Sequence, residues 1–263
     1  MNWIEALILG LIQGLTEFLP VSSSGHLELG KYFFGIDAEA NFYFSVAVHG
    51  ATVLSTLVVL WPEIAGLFKG FFKFRLNEET NYIFKILISM IPVGIAGFFL
   101  KDIVENYFNG NMISLGIQFI ISAAFLFLTL FIKPKERPIG YIDSFIIGLS
   151  QAIAVLPAIS RSGATIATGM MLGNKKSDIA KFSFLMVLAP IIGANIVEMK
   201  SGDISMEGTS FYVILIGFVT AFISGYFACK WMINLVKKGH LGWFALYCLV
   251  VGLFSILLGL HVI

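Results

Sequence analysis

Two short stretches gather the residue types that could do chemistry. TEFLPVSSSGH, Thr16 to His26, brings a carboxylate (Glu17), three hydroxyls (Ser22, Ser23 and Ser24) and an imidazole (His26) around Pro20. LPAISRSGAT, Leu156 to Thr165, sets Arg161 among Ser160, Ser162 and Thr165 just after Pro157. A serine hydroxyl becomes a useful nucleophile when a neighbour takes its proton. His26 titrates near neutral pH and could be base, acid or nucleophile, and Glu17 could orient it or act in its place. The planar fork of Arg161 matches phosphate oxygens. Each proline stops a helix, and a serine behind it can cap the next one. That next helix then points free N–H groups and the positive end of its dipole at whatever lies before it. Two opposed helix starts with an arginine between them predict an anion site. Gln13 stands four residues before Glu17, on the same helix face. A buried Glu17–Arg161 ion pair would account for both charges, but not for the hydroxyls around them.

These polar groups sit in an apolar chain. Of 263 residues 58% are hydrophobic and 13% charged, far from the roughly 45 to 50% and about 25% of soluble domains. The apolar runs recur along the whole length, predicting an integral membrane protein with one membrane domain, residues 1–263. A charge at mid-membrane costs about 2.5 to 3.5 kcal/mol on insertion scales, so Glu17 and Arg161 are expected to mark function. The net charge of +1 gives no reason to expect nucleic acid. Cys229 and Cys248 lack metal-ligand spacing and read as small core residues. The opening MNWIEALILG lacks the basic leader and cleavage site of a signal peptide.

Six stretches are long enough to span as helices: 42–61, 82–100, 112–132, 181–199, 210–230 and 241–262. Residues 2–34 and 140–173 are instead broken by proline, glycine and hydroxyl clusters, and are expected to enter the membrane and turn back. An irregular turn is tolerated there only when protein buries it or it lines a wet cavity. With both regions re-entrant, twelve lysines and arginines fall in the loops 62–81, 133–141, 174–181 and 230–240. Only Lys31, Lys101 and Lys200 face the other side. That bias places the first set of loops in the cytoplasm and both termini outside. Lys85 is expected to snorkel to the interface, His49 to support the site from behind, and His240 and His261 to lie at the interface.

A shift of 138 residues aligns Gly10, Gln13, Ser22, Ser24 and Gly25 with Gly148, Gln151, Ser160, Ser162 and Gly163, and Phe44-Ser45 with Phe182-Ser183. A weaker echo pairs Gly97 with Gly225. Each half, about 1–132 and 138–263, reads as one re-entrant pair followed by three spans. Three being odd, the second copy starts on the opposite side. The expected fold is therefore an all-α polytopic membrane protein: six transmembrane helices plus two re-entrant helix pairs in an inverted-topology repeat, their turns meeting near the midplane. The Gly94–Gly97 stretch permits close helix contact within the chain or between copies, leaving a homodimer open.

The motifs resemble those of the undecaprenyl-diphosphate phosphatases, also called bacitracin-resistance proteins, over nearly the whole chain. Gln13 and Glu17 meet the family's Glu/Gln-x-x-x-Glu and lead into FLPVSSSGH. Pro157, Ser160, Arg161, Ser162 and Thr165 meet its Pro-Gly-x-Ser-Arg-Ser with the nearby threonine. Ala158 replaces the usual glycine, which implies a stiffer turn, and glutamine at position 13 lowers the acidic charge offered to a cation. The resemblance implies hydrolysis of undecaprenyl diphosphate to the monophosphate carrier reused in cell-wall synthesis, with Mg²⁺ or Ca²⁺ assisting. It also implies a bacterial plasma membrane, a site open to the outer face, and a polyprenyl tail left among membrane lipid. On that reading Glu17 and Gln13 hold the cation and Arg161 steadies the phosphates. Ser22, Ser24, Ser160, Ser162 and Thr165 contact substrate. Ser23 attacks with His26 or Glu17 as base, or His26 attacks directly. A lipid-phosphate or ion-coupled secondary transporter is the rival, because broken helices in inverted repeats also build carriers.

Overall fold

The computed structural model describes residues 1–36, 42–99, 111–132, 135–201, 210–239 and 241–261. Eleven α-helices carry them: α1 (Trp3–Phe18), α2 (Ser23–Phe34), α3 (Phe42–Val59), α4 (Trp61–Phe71), α5 (Glu78–Phe99), α6 (Met112–Leu128), α7 (Tyr141–Ile153), α8 (Arg161–Met171), α9 (Lys176–Ser201), α10 (Phe211–Lys238) and α11 (Gly242–Gly259). A single 3₁₀ turn, Thr129–Phe131, extends α6. Five of the helices are long and apolar enough to cross a membrane, and α3 with α4 makes a sixth if that bent pair counts as one span.

The expected loops 174–181 and 230–240 are largely taken up by α9 and α10, which extend through 176–181 and 230–238, and a third difference is more instructive. Residues 62–81 read as a loop, yet Trp61–Phe71 is helical, turned 70° from α3. Pro62 occupies the first turn of α4, where no N–H is needed. Lys69 and Lys73 made the segment look like a loop, whereas Lys69 is carried by a helix and Lys73 by the turn just beyond it. Lys101, Lys133 and His240 fall outside the described residues.

The two broken regions each form two helices that pack on one another, α1 on α2 and α7 on α8. Their local chemistry is matched at 138 residues' separation. Asn2 caps α1 while Glu5 accepts from the Asn2 N–H at 2.7 Å. At α7, Asp143 accepts from the Gly140 N–H at 2.8 Å. Ser22 caps α2 by accepting from Gly25, and Ser160 caps α8 by accepting from Gly163. Each acidic or hydroxyl group meets an N–H that the helix geometry leaves unpaired.

Packing interlocks the halves. α1 lies against α10 and α7 against α5, so each re-entrant pair is held by a span from the other half. α3 meets α9 and α6 meets α11 across the middle. The close approaches explain the aligned glycines: a methyl group at Gly10 would sit 2.5 Å from the Gly217 carbonyl, and one at Gly148 2.3 Å from the Ser89 carbonyl. Gly225 is likewise pressed by Ser55 and Phe18, while its weak echo Gly97 faces open space, as does Gly94. Among the described residues, the close contact that Gly94–Gly97 permits is not made within the chain. The largest core centres on α9, where Phe182 and Met186 are fully enclosed.

Candidate active site

The tips of the two re-entrant pairs touch through reciprocal hydrogen bonds. Ser24 donates to the Pro157 carbonyl, and Ser162 donates to the Leu19 carbonyl at 3.3 Å. Leu19 and Pro157 stand 138 residues apart, as do Ser24 and Ser162. Ser22 adds a third bond, to the Pro157 carbonyl at 3.1 Å. Its φ of 68° places a serine in the left-handed region that non-glycine residues avoid, and this turn is what aims α2 at its counterpart. Behind the second tip, Ser122 accepts from the Ser160 N–H at 2.9 Å and Gln118 from the Ala158 N–H at 2.9 Å. Alanine in place of glycine at 158 is accommodated, its side chain fully buried beside Phe119 and Leu115.

A cavity of roughly 520 Å³, its open mouth included, lies between the tips. Glu17, Ser22, Ser23 and Ser24 line it from the first half, Ser160, Arg161 and Ser162 from the second. Ser23 donates to Glu17 Oε2 at 2.5 Å, and Gln13 donates to the same oxygen at 2.9 Å. Arg161 and Glu17 share the cavity but make no ion pair, and among the described residues the guanidinium has no hydrogen-bonded partner. Ser23 and Arg161 are each the first residue of their helix, so the open N–H groups of α2 and α8 also border the cavity. Such an arrangement is chemically able to hold an anion, with a hydroxyl and its proton acceptor already joined.

The opposite wall is apolar: Phe184, Val187, Leu188 and Ile191 from α9, with Val53 from α3. Thr52 and Thr56 of α3 line the cavity as well. Sequence reading missed both, because a threonine in an apolar span looks like core; their four-residue spacing with hydroxyls on one face was the available signal.

Three expected site residues do not line the cavity: Gln13, fully buried with its amide on Glu17, His26 and Thr165. The His26 ring does not line the cavity. Its Nδ1 meets the Ser22 carbonyl at 2.7 Å and its Nε2 the Tyr247 hydroxyl at 2.7 Å. The ring stacks on Tyr247 with centroids 5.6 Å apart and meets Phe119 edge-on at 5.2 Å. With Nδ1 donating to a carbonyl, neutral His26 accepts from Tyr247 at Nε2, and neither nitrogen is left to take a proton from Ser23. Thr165 is fully buried: its hydroxyl donates to the Arg161 carbonyl at 2.8 Å and pairs with Ser183 at 2.5 Å, joining α8 to α9. It steadies the helix that carries Arg161 and stands away from the cavity.

Among the described residues no three His, Cys, Asp or Glu side chains converge on a metal position. The donors fit a cation completed by substrate oxygens. Gln13 Oε1 is buried without a partner, and both hydrogen bonds to Glu17 fall on one of its two oxygens. One carboxylate with a neutral oxygen donor suits a hard divalent ion that also takes phosphate oxygens and water.

At the entry to α7, Arg137 pairs with Asp143 at 2.6 Å, and Asn174 donates to the other carboxylate oxygen at 3.0 Å. Burial pushes the Asp143 carboxyl up, but the Gly140 N–H, Asn174 and Arg137 outweigh it and hold it below the ordinary value of 3.8.

Fold and site together define a polytopic membrane protein with a polar-lined cavity at the meeting of two interlocked re-entrant turns. The chain belongs to the bacitracin resistance protein BacA family, whose family model matches residues 6–254. It is 52% identical over 260 residues to the undecaprenyl-diphosphatase of Parabacteroides distasonis, covering 97% of this chain and 98% of that protein. The undecaprenyl-diphosphatase of Bacteroides fragilis is 53% identical over the same length, with the same coverage. That of Thermosipho africanus is 38% identical over 256 residues, covering 96% and 99%.

Proposed function

We propose that this chain hydrolyses undecaprenyl diphosphate to undecaprenyl phosphate and inorganic phosphate, at the cavity between the two tips. The observation that carries the reading is a hydroxyl already joined to a carboxylate, Ser23 to Glu17 at 2.5 Å, sharing one cavity with an arginine that is unpaired among the described residues. The two-faced lining suits an amphiphile. The diphosphate lies among Arg161, the serines and the helix starts, and the first prenyl units lie along Phe184, Val187 and Leu188.

In the step this supports, Ser23 Oγ bonds to the terminal phosphorus as Glu17 takes its proton. The bridging P–O bond breaks, and its electron pair leaves on the oxygen of undecaprenyl phosphate. Arg161 and the N–H groups at the starts of α2 and α8 stabilise the charge that gathers on the equatorial oxygens. Water then attacks the phosphoserine, the Ser23 oxygen leaves with the proton held by Glu17, and inorganic phosphate is released. Glu17 and Gln13 would hold a divalent cation, Mg²⁺ or Ca²⁺, which when bound neutralises phosphate charge. The lysine and arginine bias supports both termini lying outside, and the family resemblance supports a bacterial inner membrane with the pocket open to the outer face.

The test is phosphate release from undecaprenyl diphosphate by protein purified in detergent, where no transport can be scored. Wild type releases phosphate, chelator slows it, and Ser23→Ala and Arg161→Ala fall by at least about a hundredfold. A labelled phosphoenzyme trapped at short times maps to Ser23. Label on His26 would overturn the assignment of the nucleophile, label on neither would indicate direct attack by water, and full activity in both variants would remove this cavity as the site of the reaction.

A further inference from the structure

The elbow from α4 into α5 carries a second surface that the phosphatase reaction does not use. α4 turns Ile64 and Leu67 toward the main core and presents Trp61, Phe68 and Phe72 outward, 62, 57 and 63% exposed. Phe74 and Leu76 beyond it are more than four-fifths exposed. Phe68 and Phe72 stack in parallel, centroids 6.4 Å apart. Lys69, Lys73 and Arg75 interleave with these aromatics, all exposed, and among the described residues none of the three is in an ion pair.

The surface is held rigidly. Lys181 of α9 binds Glu63 at 2.5 Å and pins the start of α4. Asn77 donates to the Gly70 carbonyl at 2.9 Å and accepts from the Thr80 N–H at 2.8 Å, tying the end of α4 to the start of α5. Thr80 donates to the Arg75 carbonyl at 2.9 Å. Gly70 lies against Glu79 so closely that a methyl group would fall 2.4 Å from its Cβ. Phe74 is fixed at φ 49°, a left-handed conformation unusual for a bulky residue.

We propose that this elbow is a binding site for anionic phospholipid: the aromatics enter the leaflet at headgroup depth while Lys69, Lys73 and Arg75 take the lipid phosphates. Three features select a lipid over a protein partner. The elbow lies where α3 ends and α5 begins, so two apolar helices fix it at the edge of the bilayer. Trp61, Phe68 and Phe72 with Lys69, Lys73 and Arg75 bring together on one exposed surface the aromatic and basic residues that interfacial segments use. Its charge complements an anionic leaflet, and it sits with the loops that hold most of the chain's lysines and arginines.

The experiment uses the full-length protein in nanodiscs of phosphatidylcholine doped with photoactivatable phosphatidylglycerol, with adducts mapped by mass spectrometry. Adducts concentrate on the peptide spanning residues 61–76. They fall about fivefold for each charge removed in Lys69→Gln, Lys73→Gln and Arg75→Gln, singly and combined, and they decline as salt is raised. Photoactivatable phosphatidylcholine labels this peptide far less. Equal labelling by the two lipids, or labelling unchanged in the triple variant, overturns the proposal. So does co-purification of a protein bound at 61–76 that excludes lipid. Should the triple variant fail to fold, competition on wild type by unlabelled phosphatidylglycerol against phosphatidylcholine decides: equal competition overturns it.

Discussion

Ser23 and Arg161 occupy the same place in the two halves, the first residue after a serine cap, and their difference makes the site. One half supplies a hydroxyl and, six residues earlier, its acceptor Glu17; the other supplies a cation, with Val155 standing where the acid would be. The scaffold is duplicated and the chemistry is not. Glu17 has three tasks in this arrangement: receiving the Ser23 proton, fixing the Gln13 amide, and facing Arg161 without neutralising it. Glu17→Gln keeps the shape and removes the acceptor. Turnover should fall by about 10² to 10⁴, the range expected for a general base, while the melting temperature in detergent stays within a few degrees. A variant that loses turnover only in step with lost folding would show that Glu17 is structural. His26 behaves differently: its side chain clamps α2 between Tyr247 and Phe119, so its substitution disturbs the placement of Ser23 and not the proton transfer itself.

At the scale of helices, each re-entrant pair depends on a local device at its entry, and that at α7 is sensitive to acid. The carboxyl of Asp143 is held below 3.8 in the folded chain by the Gly140 N–H, Asn174 and Arg137. A group whose folded value lies below its unfolded one stabilises the fold above the unfolded value, and that contribution is lost as pH falls through the folded value. Asp143→Asn should therefore melt lower than wild type at pH 6, and the gap should close as the pH is taken below about 4. A gap independent of pH would mean that the amide's shape, and not its missing charge, is at fault. The devices that depend on nearest neighbours were readable in advance: Pro20 and Pro157 end helices, Ser22 and Ser160 cap them, and the spacing of Gln13 and Glu17 shares a face. What escaped depends on distant partners. The direction of His26 is decided by Tyr247, 221 residues on; that of Thr165 by Ser183; and the membership of Thr52 and Thr56 by which face of α3 meets the tips. α4 escaped because its basic residues suggest a loop until its apolar residues find the core.

For the whole molecule, the cross-packing decides how the fold can form. α1 rests on α10 and α7 on α5, so the first helix of each re-entrant pair takes its main support from the other half, although α8 also bonds to α9 within its own. A half inserted alone would leave Gly10 and Gly14 of α1 facing lipid in place of Gly217 and Ser224, and would expose Glu17, Gln13 and the open N–H groups of α2 to hydrocarbon. Unsatisfied polar groups there cost several kcal/mol each, against a total stability of roughly 5 to 15 kcal/mol for an ordinary domain. A chain divided after residue 134 tests this, since the break spares every helix and keeps Arg137 with Asp143. Each fragment expressed alone should aggregate or be degraded. The two co-expressed should co-purify and release phosphate, more slowly than the intact chain because the linker's effective concentration is gone. If residues 1–134 or 135–263 alone gave a monodisperse, protease-resistant protein, the interlocking would not be what holds the tips together, and the pocket between them would need another explanation.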